Sequence, residues 1–332
     1  MNKVELYIRA ATRENTRQSY KSAIDHFEVS WGGFLPATTD SVARYLADNA
    51  ETLSLSTLRQ RLAALAKWHQ SQGFTDPTKA PLVKSVLKGI AELHPKTQKQ
   101  AKPLQLKQLE CVIKWLDSQI EIGAEVNDRA KVLKHSRDKA LILLGFWRAF
   151  RSDELCRLTV DAIKISQGEG MEIFLGRSKG DRNNKGRSYK APALKRLCPV
   201  TAYQDWIHNS GLTEGPVFRG IHRTGLVSQT ALHVDSIVKI LRGQLKAAGI
   251  PNPQSFSSHS LRRGFATWAN ANQWDLKTLM EYVGWKDVQS AMRYIDGQDT
   301  FFQERFEHAL NTPAKNKAPL NISKESFKLS QG

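Results

Sequence analysis

Between Asp138 and Phe150 the chain carries Leu141, Ile142, Leu143, Leu144 and Phe146 with almost no polar break. A run that is apolar on every side has no face to offer water, so it reads as a helix buried in the middle of a core. It stops at Arg151, within Ala149-Phe150-Arg151-Ser152-Asp153-Glu154-Leu155. A buried helix ending at a guanidinium sets that group at the edge of the core on a rigid support, which suits a recognition role.

The segments around this helix follow from periodicity. Leu104 to Ile120 reads as an amphipathic helix with Leu106, Leu109, Ile113 and Leu116 on one stripe, followed by a polar stretch through Lys134. After Leu158 the period changes: Val160 to Ile165, Met171 to Leu175 and Ser188 to Ala191 read as strands of a small antiparallel sheet with a basic loop, Gly180 to Gly186. Pro199 to Asn209 and Thr230 to Ala248 return to helix, with Thr230 as a cap. Leu276 to Val283, Val288 to Ile295 and Phe301 to Leu310 continue it. The Lys-, Ser- and Asn-rich residues 312–332 read as a disordered basic tail.

Residues 1–95 read as all helical. Thr12 is a candidate cap for a helix bearing Thr16, Tyr20, Ile24 and Phe27, and a second amphipathic run starts at Asp40. A third is capped by Ser56, with Leu58, Leu62, Leu65 and Trp68 on one face and Arg59, Arg61 and Lys67 off it. A fourth spans Lys84 to Leu93. The polar segment 96–103, bounded by Pro95 and Pro103 and carrying Lys96, Lys99 and Lys102, reads as the interdomain linker, leaving 104–311 as a second domain.

A net charge of +17 over 332 residues, with a pI near 9.8, implies a polyanionic partner, nucleic acid ahead of a membrane surface. Residues 1–102 alone hold 15 Lys and Arg against 9 Asp and Glu. No apolar run approaches the roughly 20 residues that span a bilayer, and Met1 to Thr12 lacks an apolar signal core, so a cytoplasmic protein is expected. Cys111, Cys156 and Cys198 are scattered without ligand spacing, and no phosphate-cradling glycine loop precedes a Lys-Ser or Lys-Thr pair. Neither a metal nor a nucleotide cofactor is expected, which leaves any phosphate chemistry to side chains.

The side chains for that chemistry stand in Ser258-His259-Ser260-Leu261-Arg262, Gly284-Trp285 and Met292-Arg293-Tyr294. On a helix His259 and Arg262 share a face, three residues apart. Each of these residues alone is explained by packing or by a solvated surface, and a His-x-x-Arg pair arises by chance in a chain this basic. One His, one Arg, one indole N–H and one phenol in this order, with Arg151 upstream, are instead suited to converge on a single phosphate.

The pattern resembles the tyrosine recombinases, also called the phage integrase family. Arg151 and Glu154 fall on that family's G-x-R-x-x-E-L-like turn, and His259, Arg262, Trp285 and Tyr294 on its second signature. Trp at the third position, where His is commoner, and Gly176-Arg177-Ser178-Lys179 make it most similar to the Cre recombinase branch. The resemblance runs from about residue 12 to about 310.

It implies a mainly α fold with a small antiparallel β-sheet: an N-terminal helical core-binding domain, 1–95, that reads the major groove, and a C-terminal α+β catalytic domain. It further implies a site-specific DNA recombinase in which Tyr294 attacks a phosphodiester and is left as a 3′-phosphotyrosine. A phenol ordinarily ionises near pH 10. It therefore needs a base, here His259, while Arg151, Arg262 and Trp285 meet the charge of the transition state. Glu154 supports Arg151 and His259, and Lys179 is the acid for the leaving oxygen, with Lys185 and Lys190 as neighbouring alternatives. No cofactor is required. The partners implied are double-stranded DNA and three further copies of the chain, four protomers on two duplexes, with no membrane. Arg59, Arg61, Lys67, Lys96, Lys99 and Lys102 are the candidate DNA contacts. A topoisomerase with the same catalytic set, or a DNA-binding module that has lost catalysis, are the alternatives.

Overall fold

A computed structural model of the protein describes residues 2–95, 100–166, 168–176 and 186–295. They fall into two units, Met1–Gln100 and Ala101–Gly332. The first holds α1 (Lys3–Ala11), α2 (Glu14–Asp25), α3 (Thr39–Asp48), α4 (Leu55–Ser71) and α5 (Pro81–Leu93). A single widened turn, His26–Ser30, prolongs α2. Helix α2 packs on α4 and α3 on α5, and Phe27, Val42, Tyr45, Leu46, Leu58 and Leu65 are fully enclosed in the core they share.

Local chemistry places these helix starts more accurately than the sequence pattern does. Ser54, not Ser56, caps α4 by accepting the Thr57 N–H at 3.2 Å, and Thr38 does the same for α3 at 3.1 Å. Thr12 is not a cap: α2 starts after the extended Arg13, and α1 before it has no counterpart in the sequence reading. Pro81 opens α5 three residues before Lys84, at the position where its missing N–H is harmless.

The second unit begins with Lys102 N–H on the Ser255 carbonyl (3.1 Å) and Leu104 N–H on the Ser260 carbonyl (2.9 Å). It contains α6 (Leu106–Glu125), α7 (Arg129–Trp147) and α8 (Ser152–Cys156), followed by β1 (Ile163–Ser166), β2 (Gly170–Leu175) and β3 (Arg187–Pro192). Then come α9 (Pro199–Ser210), β4 (Arg219–Ile221), β5 (Val227–Ala231), α10 (Val234–Ala247), α11 (Ser258–Ala271), α12 (Leu276–Val283) and α13 (Val288–Ile295). The expected final helix at Phe301 to Leu310 and the tail lie outside the described residues.

The apolar run is the C-terminal half of α7, buried on all sides from Ala140 to Trp147. Its N-terminal half occupies the stretch expected as a polar connection. Arg137 and Asp138 are buried there and satisfied: Asp138 accepts from Arg137 Nε (2.9 Å) and Gln244 Nε2 (2.7 Å), and Arg137 Nη1 donates to the Arg219 carbonyl (3.1 Å). Gly264 lets α11 approach the incoming chain, because a Cβ there would stand 2.1 Å from the Leu104 carbonyl oxygen.

Strands β1, β2 and β3 form the expected antiparallel sheet in that order. Ile173 pairs with Tyr189 and Met171 with Ala191 on the buried face, while Glu172 and Lys190 pair on the opposite one. Residues 160–162 form a short 3-10 turn before β1, not strand. A second, two-stranded sheet, β4 with β5, takes up Thr230, and α10 starts only after His233, whose Nδ1 accepts from Asp235 N. Strands of three and five residues without polar alternation leave no periodic trace.

Candidate active site

Three chain reversals bring the expected residues together. At the first, α7 ends and Ala149 takes a left-handed conformation (φ 51°), donating its N–H to Phe146 O at 3.0 Å. Phe150 drops into the core, and Arg151 follows in extended backbone at the start of α8. Glu154 reaches back to accept from both Arg151 N and Arg151 Nη1, each at 2.8 Å. The carboxylate is 4% exposed and the guanidinium side chain 27%, so a buried acid holds a cation that faces outward.

The second reversal is the start of α11. Ser257 caps it, accepting the His259 N–H at 3.2 Å and donating its own N–H to Ser260 Oγ at 2.9 Å. One helical turn therefore sets His259 exposed at the rim and Arg262 inside, 1% exposed. Arg262 Nη1 donates to the Ala149 carbonyl (2.6 Å) and lies 3.9 Å from Glu154 Oε2, while Nη2 meets the Val283 carbonyl at 3.4 Å. Burial, and after it the charge of Arg151, pull its pKa down to about 10. It stays charged at neutral pH, and an anion placed between the two arginines offsets their mutual repulsion.

The third is Gly284, left-handed at φ 78°, which closes α12 and delivers Trp285, whose N–H returns to Met280 O at 2.9 Å. The indole is 7% exposed and stacks on the half-buried Tyr294 ring of α13, centroids 5.1 Å apart at 28°. The Arg262 guanidinium carbon stands 5.3 Å from the indole centroid and 5.9 Å from the phenol. Arg263 flanks the same phenol at 6.0 Å. Among the described residues, Arg262 Nε and Trp285 Nε1 are buried and have no hydrogen-bond partner. Two buried donors without partners, on a guanidinium and an indole that lie against each other, suit an acceptor group.

Arg151, Glu154, Arg262, Trp285 and Tyr294 thus form one contiguous set, with His259 one turn away on α11. Lys179, Lys185, Lys96 and Lys99 lie outside the described residues. Lys190 is described, and it projects from the exposed face of β3, opposite Tyr189. In the N-terminal unit Arg59 and Lys67 are exposed, as is Lys102 at the start of the second unit. Arg61 is half-buried: Nε and Nη1 are enclosed, and its charge adds to the burial that lowers the pKa of His26 and opposes the burial that raises that of Tyr45. It is tied into the helix packing rather than displayed like its neighbours.

Sequence reasoning passed over Arg148, Arg187, Tyr189 and Tyr282, which connect the reversals. Arg148 donates to Tyr282 O (2.8 Å), Arg187 to Glu281 O (2.7 Å), and Tyr282 Oη to Trp147 O (2.8 Å). Among the described residues no group of three His, Cys, Asp or Glu side chains is arranged to hold a metal ion, and no helix is long and apolar enough to cross a membrane.

The profile of the phage integrase family matches residues 121–300, which include every residue of this set. An integrase/recombinase xerD homolog of Selenomonas ruminantium is 30% identical over 272 residues, 80% of this chain and 76% of that protein. The recombinase cre of Escherichia phage P1 is 24% identical over 280 residues, 80% and 78% of the two chains. Among solved structures, the Tn1549 transposon integrase in complex with transposon right end DNA superposes with a TM-score of 0.60 at 18% identity, covering 92% of this chain and 96% of that one. XerH recombinase bound to its difH substrate gives 0.57 at 18%, covering 88% and 78%. These last two establish the fold; the profile, which spans the three reversals, and the similarity to the xerD homolog establish that the chain belongs to the phage integrase family.

Proposed function

We propose that the chain is a site-specific recombinase that cleaves and rejoins double-stranded DNA through a 3′-phosphotyrosine on Tyr294. The observation that carries this reading is the pair of buried, unpartnered donors, Arg262 Nε and Trp285 Nε1, beside the stacked Tyr294 ring. A scissile phosphate seated there satisfies both, and brings its phosphorus within reach of the phenol.

In the forward step Tyr294 Oη attacks phosphorus and its proton passes to His259. The bond from phosphorus to O5′ breaks, and O5′ takes a proton from Lys179. Nothing is oxidised or reduced, and the phosphodiester is exchanged for a phosphotyrosyl ester of similar energy. A second 5′-hydroxyl therefore reverses the step and reseals the strand. The pentacoordinate state gathers negative charge on its nonbridging oxygens. Arg151, aimed by Glu154, Arg262 and the Trp285 N–H are its donors, each contributing about 3 kcal/mol or more by analogy with other preorganised donors.

The net charge of +17 supports DNA as the partner. In this reading Arg59 and Lys67 contact DNA from the N-terminal unit, and Lys96, Lys99 and Lys102 track phosphates near the boundary. The family resemblance supports assembly of four protomers on two duplexes, with Phe301, Phe302 and Phe306 docking on a neighbour.

The deciding experiment is to incubate the protein with fragmented genomic DNA, trap covalent adducts with denaturant and sequence the attached ends. Adducts at one or a few sequences are expected. Adducts spread without sequence preference would point to a topoisomerase, and a complete lack of adducts to a DNA-binding module.

A further inference from the structure

We propose that Arg148 is a positioning residue for strand cleavage, locking together the segments that carry Arg151 and Trp285 and strand β3. The proposal rests on the recombinase reading for its kinetic consequence and on geometry for its structural one. Arg148 is 2% exposed, three residues before Arg151. Its guanidinium carbon lies 3.9 Å from the Tyr282 centroid, 5.2 Å from Tyr189 and 5.8 Å from Phe150. Nη2 donates to the Tyr282 carbonyl at 2.8 Å, and Tyr282 Oη donates back to the Trp147 carbonyl at 2.8 Å.

Three aromatic rings and a carbonyl stand against this buried cation, its Nε has no hydrogen-bond partner, and among the described residues it forms no ion pair with a carboxylate. Ring quadrupoles and the negative end of α12 stabilise the charge instead. Each partner borders a different part of the site. Tyr282 stands three residues before Trp285 and next to Val283, whose carbonyl accepts from Arg262. Tyr189 lies on β3, the strand that follows the segment bearing Lys179, and packs edge-on against Phe150 at 5.4 Å. Phe150 directly precedes Arg151.

The choice of arginine is explained by this geometry. A methionine fills the same space but donates nothing to the Tyr282 carbonyl. A lysine keeps the charge but has no planar group to lie against Tyr282 while bonding in its own plane. Freed from Arg148, the α12 end and the Arg151 turn move independently, and displacements of about 1 Å in such sites cost on the order of 100-fold in rate.

The test uses full-length protein and the DNA fragment recovered through the wild-type adduct. Arg148→Met is expected to bind this fragment with a Kd within about twofold of wild type, and to form adduct at saturation about 100-fold more slowly. Arg148→Lys is expected to recover part of the rate. Amide hydrogen exchange in peptides spanning Tyr282 to Trp285 and Arg187 to Ala191 should quicken in Arg148→Met while exchange in α6 and α10 stays as it was. A saturated rate within threefold of wild type, a Kd that weakens as much as the rate falls, or unchanged exchange at 282–285 would each overturn the proposal. If Arg148→Met does not fold, Arg148→Lys alone decides by the same split between rate and Kd. If wild type forms no adduct at all, the recombinase reading fails, and exchange at 282–285 still decides whether Arg148 holds that segment.

Discussion

Arg262 Nη1 donates to the carbonyl of Ala149 at 2.6 Å, so a buried arginine of α11 holds the left-handed alanine from which the chain turns to Arg151. A left-handed alanine costs about 1–2 kcal/mol, and this bond, made inside the core, offsets it. The two arginines therefore differ in kind: one is part of the core and the other stands at its edge.

Their conservative variants should separate accordingly. Arg262→Lys leaves the Ala149 carbonyl without its donor and should lower stability by about 1–3 kcal/mol. Arg151→Lys, at a partly exposed ion pair, should lower it by less than about 1 kcal/mol. Both should slow adduct formation by about 100-fold or more, since a lysine does not reproduce bidentate contact with phosphate. Urea denaturation beside a cleavage assay measures both quantities. Equal stability losses would contradict the placement of Arg262.

Tyr294→Phe keeps the ring that stacks on Trp285 and flanks Arg262, and removes only the oxygen. DNA affinity should be unchanged and every covalent adduct lost. A denaturing gel that still shows adduct would assign the nucleophile elsewhere.

Much of this was legible in the chain itself, because strong periodicity and order carry it. The apolar end of α7 and the order of Arg151, His259, Arg262, Trp285 and Tyr294 needed no coordinates. What escaped depends on tertiary partners. Arg137 and Asp138 are charged side chains at the edge of the apolar run, and nothing local shows that each is buried against a counterpart 82 to 106 residues away. Arg148 is one of 49 basic residues and only its three rings distinguish it. The shift of the α4 cap from Ser56 to Ser54 reflects a competition between two serines that spacing does not rank.

Cys156 closes α8 two residues after Glu154, and reports on whether that turn is formed. Burial first, and then Asp153, push its thiol up to about 11 from an ordinary 9.0. Its thiolate is then about 100-fold scarcer at pH 8 than that of an ordinary thiol, each pKa unit being tenfold. Iodoacetamide at pH 8 should label exposed Cys111 well before Cys156, as peptide mass mapping will show. The same shift makes stability from this group complete below about pH 9. It is lost as pH rises toward 11, because the unfolded chain releases its proton first. Equal labelling of both thiols in native protein would mean that α8 is not seated as described.

The charge distribution makes a prediction about binding. If the excess of cations meets DNA phosphates, log affinity should fall linearly and steeply with log salt, because each neutralised phosphate releases condensed counterions. Replacing exposed Arg59 and Lys67 together should reduce that slope by about two, whereas Arg61→Gln should act mainly on the stability of the N-terminal unit. Filter binding across a salt series separates the two, and a flat response would make the charge incidental.

Of the three candidate lysines for the general acid, Lys179 and Lys185 lie outside the described residues. Lys190 is the exception, and its position on the exposed face of β3, paired across the sheet with Glu172, argues against it. Lys190→Ala should therefore cleave at close to the wild-type rate. Substituting sulfur for the bridging 5′ oxygen of the DNA gives a leaving group that departs without a proton, so an acid becomes dispensable while the arginine donors do not. Lys179→Ala should be slow on ordinary DNA and near wild type on the sulfur-bridged strand, and Arg151→Ala slow on both. A Lys179→Ala enzyme that is unimpaired on oxygen, or impaired equally on sulfur, would pass the role to Lys185, for which the same pair of substrates is the test.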